Sequence, residues 1–202
     1  SLLDVGDIYH IQGNYVKAKT TFEKSLELSK DLGKSDINIA YSLYGLGKAY
    51  YKLQLIIESV NYLNEAKKIL DSSKHKALGF EQLNLKIDIL PILGLALFEK
   101  NHSTDGLITY YNEIIKTTNE LSIEGLYYFI DLIKKLIQQN QVEENLIFEK
   151  YDLDKDYKST LQFAYNKIQT INKKIDSQKF QESFINKVPI NKAIVEEWEK
   201  VK

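Results

Sequence analysis

The chain has 202 residues, 44% of them hydrophobic, which is enough for one domain with a substantial core. The formal net charge is −1 and all 27 basic residues are lysine, so the strong positive field and the planar guanidinium that favour nucleic-acid binding are both absent. The sequence has no cysteine and no apolar run of the roughly 18 residues that a membrane span needs. We therefore expect a cytoplasmic protein without disulfides, and neither nucleic acid nor a membrane as a partner.

Helix breakers are scarce, and apolar residues recur at helical spacing along almost the whole chain, which predicts an all-helical protein. Gly33 and Ser35 suit the end of one helix and the start of the next. Pro91 lies inside a long helical segment, where its missing N–H predicts a kink or a break. The polar residues 152–156 predict a turn. The predicted helices span residues 1–12, 15–31, 36–53, 56–71, 76–100, 104–118, 121–139, 142–151, 157–175, 177–187 and 190–200.

Two segments of the chain repeat one pattern 41 residues apart. Small residues recur where two helices would touch, and larger residues recur beside them. The paired positions are Gly6 and Gly47, Tyr9 and Tyr50, Ala18 and Ser59, and Phe22 and Leu63. This pattern resembles the tetratricopeptide repeat, a helix–turn–helix unit whose usual period is 34 residues. The period here is seven residues longer. Seven residues make almost two helical turns, so each helix keeps the same face toward its partner helix, with only ~20° of drift.

The resemblance implies an all-α fold in which antiparallel helix pairs stack into a right-handed superhelix. A third, degraded repeat is indicated by Gly94 and Gly106, and beyond residue 120 only the helical period continues. We therefore expect helical repeats over residues 1–139, with degenerate and capping helices over 140–202. The individual repeats would span 1–32, 36–73 and 76–118, with a degenerate fourth from 121.

The segment from Ser183 to Ile194 resembles the C-terminal end of bacterial signalling ATPases, kinases and cyclases that carry tetratricopeptide arrays. Lys187 and Lys192 replace the Asn and Arg that are usual there, and the acidic-Pro step before the motif is missing. The same residues also fit a simple capping helix, with Pro189 at its first position. For the residues of this segment, the capping-helix interpretation is favoured over the resemblance to signalling proteins.

No catalytic or metal-binding set stands out in the sequence, and we expect a protein that is not an enzyme and has no cofactor. Gly45-Leu46-Gly47-Lys48 lacks the other residues of a phosphate-binding loop and falls inside a predicted helix. The acidic run from Asp152 to Asp156 lacks the Gly and Glu that complete a calcium loop. The three histidines, His10, His75 and His102, are widely separated.

In the tetratricopeptide family the first helix of each pair lines the concave groove, so the resemblance implies a set of partner-binding positions. We expect Tyr44, Lys48 and Tyr51 to be exposed there, although tyrosines in long repeats can also pack between helices. Leu3 and Asp7 stand where receptors for chaperone tails carry Lys and Asn, so a carboxylate clamp is not expected. The predicted groove residues are Asp7, His10, Tyr41, Tyr44, Lys48, Tyr51, Lys52, Phe98 and Glu99; Leu3, Ile11, Asp88 and Leu95 map to the same face.

The leading functional hypothesis is a scaffold that binds a protein or peptide segment and forms part of a larger bacterial regulatory protein, because Ser1 already lies within the repeat pattern. One alternative is a peptide-pheromone-sensing domain, since such receptors also have long repeats of about 40 residues. Another is a regulatory arm of a signalling ATPase, kinase or cyclase, suggested by the tail motif. Self-association through the convex face or the end caps is left open.

Overall fold

A computed structural model describes residues 1–33, 35–72, 79–143 and 151–202. Within these ranges the chain forms ten α-helices and a 3₁₀ turn at Thr118–Glu120, and it contains no strand. None of the helices in the described ranges is long and apolar enough to cross a membrane. The helices are α1 Leu2–Ile11, α2 Tyr15–Asp31, α3 Asp36–Lys52, α4 Ile56–Ser72, α5 Phe80–Asn101, α6 Asp105–Ile114, α7 Ile123–Glu143, α8 Leu153–Asn172, α9 Gln178–Asn186 and α10 Pro189–Val201.

The helices stack as consecutive pairs, which confirms the predicted all-α solenoid. Each of the pairs α1–α2, α3–α4, α5–α6 and α7–α8 packs together, and α2 and α4 also pack on the pair that follows. The first helices also touch one another along one side, α1 against α3 and α3 against α5. Helix α7 packs on α5 as well as on α6, so the fourth pair lies against the side formed by the first helices.

Close approach between helices depends on two glycines that face one aromatic ring. A β-carbon on Gly6 would lie 2.5 Å from Phe22, and one on Gly45 would also lie 2.5 Å from Phe22. The Phe22 ring is buried, so it fills the space between its own pair and the next one. In the second pair Leu63 occupies the space that a side chain at Gly47 would take. These contacts confirm that the repeated small residues serve helix packing.

Helix α5 runs through Pro91, so of the predicted kink or break the break does not occur. Proline inside a helix removes one hydrogen bond and costs about 3 kcal/mol. The residues on both sides of it are almost fully buried, including Leu90 at 2% and Ile92 at 0% exposure. Burial of several large apolar side chains contributes more than the proline costs, so the helix continues.

The polar residues 152–156 open a helix, and the predicted turn there is wrong. Asp152 is the N-cap of α8, and its side chain accepts a hydrogen bond from the Lys155 N–H. The acidic residues that follow lie in the first turn, where negative charge interacts favourably with the helix dipole. The Tyr111 hydroxyl donates to Asp156 and ties this turn to α6. Residues 144–150, within the short helix predicted before it, lie outside the described residues.

The tail forms two short helices that close the stack on α7 and α8. Pro189 is the first residue of α10, as predicted. The Asn191 side chain is 3% exposed and donates from Nδ2 to the Phe184 carbonyl of α9 at 2.9 Å. Trp198 packs against Tyr165 of α8 with ring centroids 5.8 Å apart. These contacts give the motif residues a structural role, whereas the resemblance to signalling proteins stays a prediction.

The glycine packing gives a stability prediction. Gly47→Ala should destabilise the chain by about 1–3 kcal/mol, because its β-carbon would lie 2.5 Å from the fully buried Leu63. Gly106→Ala is the matched control, since the same change in α6 meets ordinary contact at 3.4 Å from Leu97 and improves helix propensity. It should change the free energy of unfolding by less than about 1 kcal/mol or increase it. Urea unfolding measures both, and equal losses would contradict the packing argument.

Candidate functional site

The first helices of the pairs surround a cleft of about 320 Å³. Helices α1, α3 and α5 each contribute to its walls, and the start of α7 contributes the rest. We call this space the concave cleft. Five of the nine predicted groove residues line it, namely Asp7, His10, Tyr41, Tyr44 and Lys48, together with Leu3, Ile11, Gly45, Asp88, Ser122 and Glu124.

The Lys48 ammonium lies at the centre of the polar contacts in the concave cleft. Its Nζ donates to Glu124 Oε2 at 2.6 Å and to Asp7 Oδ1 at 3.2 Å. It also lies 4.6 Å from the centroid of the Tyr44 ring. Burial alone would lower the pKa of Lys48, but the charges and hydrogen bonds of Glu124 and Asp7 together raise it above its ordinary value. The lysine therefore stays charged and is bound to groups of the protein itself.

The predicted exposure of the central groove residues is wrong for two of three. Tyr44 is 6% exposed and Lys48 is 3% exposed, so both are buried. The start of α7 reaches α3 at this place, where the Glu124 carboxylate pairs with the Lys48 ammonium. Tyr51 is half-buried, and its hydroxyl donates to Glu99 Oε1 at 2.8 Å.

His10 is a neutral, buried residue of the cleft wall. Burial first, and then the nearby charges of Lys48 and Lys52, lower its pKa to about 3. Its Nδ1 lies 3.5 Å from Glu124 Oε1, and this contact carries no ion pair at neutral pH because the imidazole is uncharged. The ring also packs edge-on against Tyr15 at 5.2 Å between centroids.

Asp88 fastens α5 to the start of α7. Its Oδ1 accepts a hydrogen bond from the Ser122 N–H at 2.9 Å, and the Ser122 Oγ accepts one from the Gly125 N–H at 2.9 Å. A β-carbon on Gly125 would lie 2.1 Å from Asp88 Oδ1, so only glycine allows this approach. Burial raises the pKa of Asp88 to about 6, and it outweighs the Ser122 hydrogen bonds and the Lys48 charge, which lower it.

The other four predicted residues lie outside the concave cleft, as its lining shows. The Lys52 ammonium lies 5.3 and 5.2 Å from the rings of Tyr127 and Tyr128, and burial lowers the pKa of Lys52. Phe98 is 8% exposed and packs beneath the Lys135 ammonium at 5.0 Å. The remaining two are Tyr51 and Glu99, which form the hydrogen bond described above.

Gly45, Ser122 and Glu124 are the cleft residues that sequence reasoning missed, and Gly45 lies within the repeat pattern. Ser122 and Glu124 come after residue 120, where the repeat pattern fades. Ser122 stands three residues before Gly125, at the start of a segment with apolar residues at helical spacing. A serine in this position is a signal for the start of a helix. That signal places a helix terminus, but it does not indicate that Glu124 reaches Lys48, which is 76 residues away in sequence.

A family model described as the tetratricopeptide repeat matches residues 1–72, the segment that forms α1 to α4. No curated protein matches the chain closely enough to count as a relative. The stacked pairs and the cleft between their first helices are typical of helical-repeat scaffolds, which as a class present concave binding surfaces. The similarity to the tetratricopeptide repeat family therefore covers the two N-terminal helix pairs.

The described residues contain no group of three or more His, Cys, Asp or Glu side chains arranged to hold a metal ion. The cleft chemistry that these residues do show is ionic and hydrogen-bonding. Its carboxylates cap a helix or pair with a buried lysine, and its aromatic rings form the walls. Such an arrangement can bind a polar or charged group.

The Lys48 contacts predict unequal losses of stability when Lys48 itself and its partner Asp7 are substituted. Lys48→Met should destabilise the chain by about 2–4 kcal/mol, because it leaves Glu124 largely buried without its cation. Asp7→Asn should cost less than about 1 kcal/mol, since the Asp7 side chain is 51% exposed and screened by solvent. Urea unfolding of both variants checks this. In the double variant Lys48→Met, Glu124→Gln part of the loss should return; no recovery would contradict the pairing.

The raised pKa of Asp88 predicts a pH-dependent stability difference. The ordinary value is 3.8 and the folded value is about 6, so folding favours the protonated form and ionisation destabilises the fold as pH rises through that window. Asp88→Asn keeps an oxygen for the Ser122 N–H. The free energy of unfolding of the Asp88→Asn variant, relative to that of the wild type, should therefore rise by about 1–3 kcal/mol between pH 4 and pH 7. Urea unfolding of both proteins at each pH measures it, and a difference independent of pH would contradict the burial of the carboxyl.

Proposed function

We propose that this chain is a non-catalytic binding module that holds a segment of another protein or a peptide in the concave cleft. The observation that carries the proposal is that the first helices of three consecutive pairs line one cleft in a chain that begins with tetratricopeptide repeats. The regulatory setting, within a larger bacterial protein in the cytoplasm, is part of the same proposal. The alternatives of a pheromone sensor and of an enzyme arm stay predictions, and neither is favoured by a particular contact.

The physical basis of the proposed binding is a preformed surface. The helices that line the cleft are packed on one another, so little ordering cost remains when a ligand binds. Leu3, Ile11 and Tyr41 offer apolar and aromatic contact area at accessible positions, with Ile11 39% exposed. A volume of about 320 Å³ is at the lower limit of small-molecule sites and suits a side chain or two of a longer segment.

The contacts of Lys48 argue against an acidic tail as the bound segment. A clamp for carboxylates needs a lysine that is free to bind them. The Lys48 ammonium already has two carboxylate partners on α1 and α7. We therefore propose a mode of binding different from that of the receptors for chaperone tails.

The proposal is tested with a matched pair of substitutions on exposed isoleucine and leucine. Peptides are selected from a displayed random library on the wild-type chain, and their dissociation constants are measured by fluorescence polarisation. Ile11→Arg places a bulky charge in the cleft and should weaken binding at least about tenfold. Leu28→Arg makes the same change on α2, outside the cleft, at a residue 44% exposed, and should leave binding unchanged.

Thermal unfolding of both variants controls for folding, since neither residue is buried. The proposal would be wrong if the selected peptides bound the Ile11→Arg variant as tightly as the wild type. A library that yields no binder above background would also count against it.

A further inference from the structure

The concave cleft carries an excess of negative charge. Among the groups that line it, Asp7, Asp88 and Glu124 are carboxylates, and Lys48 is the one basic side chain that is charged at neutral pH. The formal balance of these four groups is therefore −2. At the rim, Tyr41 donates from its hydroxyl to Glu81 Oε1 at 3.4 Å, which brings one more carboxylate close.

Two other lysines act on the cleft carboxylates only from outside its walls, Lys52 on Glu124 and Lys167 on Asp88. Among the charges near Lys52, Asp131 on α7 has the largest effect and Glu124 comes next, and the Lys52 ammonium lies over the ring of Tyr128. Lys167 of α8 donates from Nζ to the carbonyl of Leu121 at 2.5 Å. Neither residue lines the concave cleft.

Buried polar atoms in the cleft wall lack hydrogen-bond partners. They are the Tyr44 hydroxyl, His10 Nε2 and Glu124 Oε1, the last of which has only a long 3.5 Å contact with His10 Nδ1. Tyr44 and His10 are 6% and 4% exposed, so water at the surface does not satisfy them fully. A buried acceptor that makes no hydrogen bond costs about 1–3 kcal/mol, and a donor from a ligand would recover part of this.

The shape of the site suits a cation at the end of an apolar stem. Leu3 and Ile11 are aliphatic and Tyr41 is aromatic, so methylene groups can pack on them while a charged end reaches the carboxylates. A positive group also interacts favourably with the faces of Tyr41 and Tyr44. A metal ion fits poorly, because the described side chains form no cluster of ligands for one.

We infer that the concave cleft receives the ammonium or guanidinium end of a lysine or arginine side chain from the bound segment. The inference rests on the proposed function and adds the chemistry of the partner: it is basic at the residue that enters the cleft. The excess carboxylates supply the charge, the unpartnered acceptors supply hydrogen bonds, and the apolar wall holds the stem.

The test is a titration of the whole ¹⁵N-labelled chain followed by ¹H–¹⁵N NMR. The probe is N-acetyl-lysine N-methylamide, and the matched control probe carries an acetylated ε-amine on the same stem. The lysine probe should shift the amide signals of Asp7, Tyr44 and Glu124 in a saturable way. It should bind at least about tenfold more tightly than the acetylated probe, and N-acetyl-glutamate N-methylamide should not bind there.

Two variants separate the charge effect from loss of folding. Glu124→Gln removes a carboxylate but also disturbs Lys48, so Asp7→Asn is the informative change at a half-exposed position. It should weaken the lysine probe about threefold. Asp31→Asn removes the same charge from exposed residue 31 of α2 and should have no effect. Equal binding of the charged and acetylated probes, or an unaffected Asp7→Asn variant, would overturn the inference.

Further experiments identify the source of the cation and separate this inference from the proposed function. Spermidine that shifts the same signals while the lysine probe is silent would overturn a peptide as the source. Selected peptides that lose binding to Ile11→Arg, yet keep it when each lysine or arginine is replaced by glutamine, would overturn this inference alone. A lysine probe that binds the cleft, with no selected peptide sensitive to Ile11→Arg, would instead count against the proposed function.

Discussion

The approach of α1 to α3 around the Phe22 ring positions most of the polar groups in the concave cleft. Because Gly6 and Gly45 have no side chains, the ring contacts both helices and brings their backbones together. Residues at equivalent places in the two repeats then face each other. Asp7 and Lys48 each follow the small residue of their repeat, 41 positions apart, and they form an ion pair. The repeat therefore sets both the stacking of helices and the first contact of the binding site.

The fourth wall of the cleft comes from outside the repeat pattern. Asp88 accepts from the Ser122 N–H, and Gly125 allows α7 to approach, so the start of α7 lies beside α5. Glu124 then reaches Lys48, which buries the lysine and gives it a second carboxylate partner. The consequence is a cleft whose only lysine is already bound, and whose remaining charge is negative. In this way a residue that could have bound anions becomes part of the wall.

Local signals in the sequence predicted the helices and the stack, because helical period, glycine spacing and capping residues act over a few turns. They also placed Asp7, His10 and Tyr41 on the face that lines the cleft. They could not predict the burial of Lys48 or the continuity of α5 through Pro91, since both depend on packing between distant segments. The first turn of α8 was missed for a different reason: its acidic residues are unfavourable inside a helix but favourable at its start.

The contact between Lys48 and Glu124 also has a consequence for cooperativity. In a repeat stack each unit contacts only its neighbours, so unfolding can begin at either end and proceed unit by unit. Here an ion pair joins α3 to α7 across 76 residues of sequence, and Asp7 extends the connection to α1. The strong part of this connection joins the second pair to the fourth, because Glu124 is 22% exposed whereas Asp7 is 51% exposed and screened by solvent. Local opening of α3 therefore requires loss of a contact with α7, whereas α1 is held by a weaker ionic contact and can open before α3 and α7.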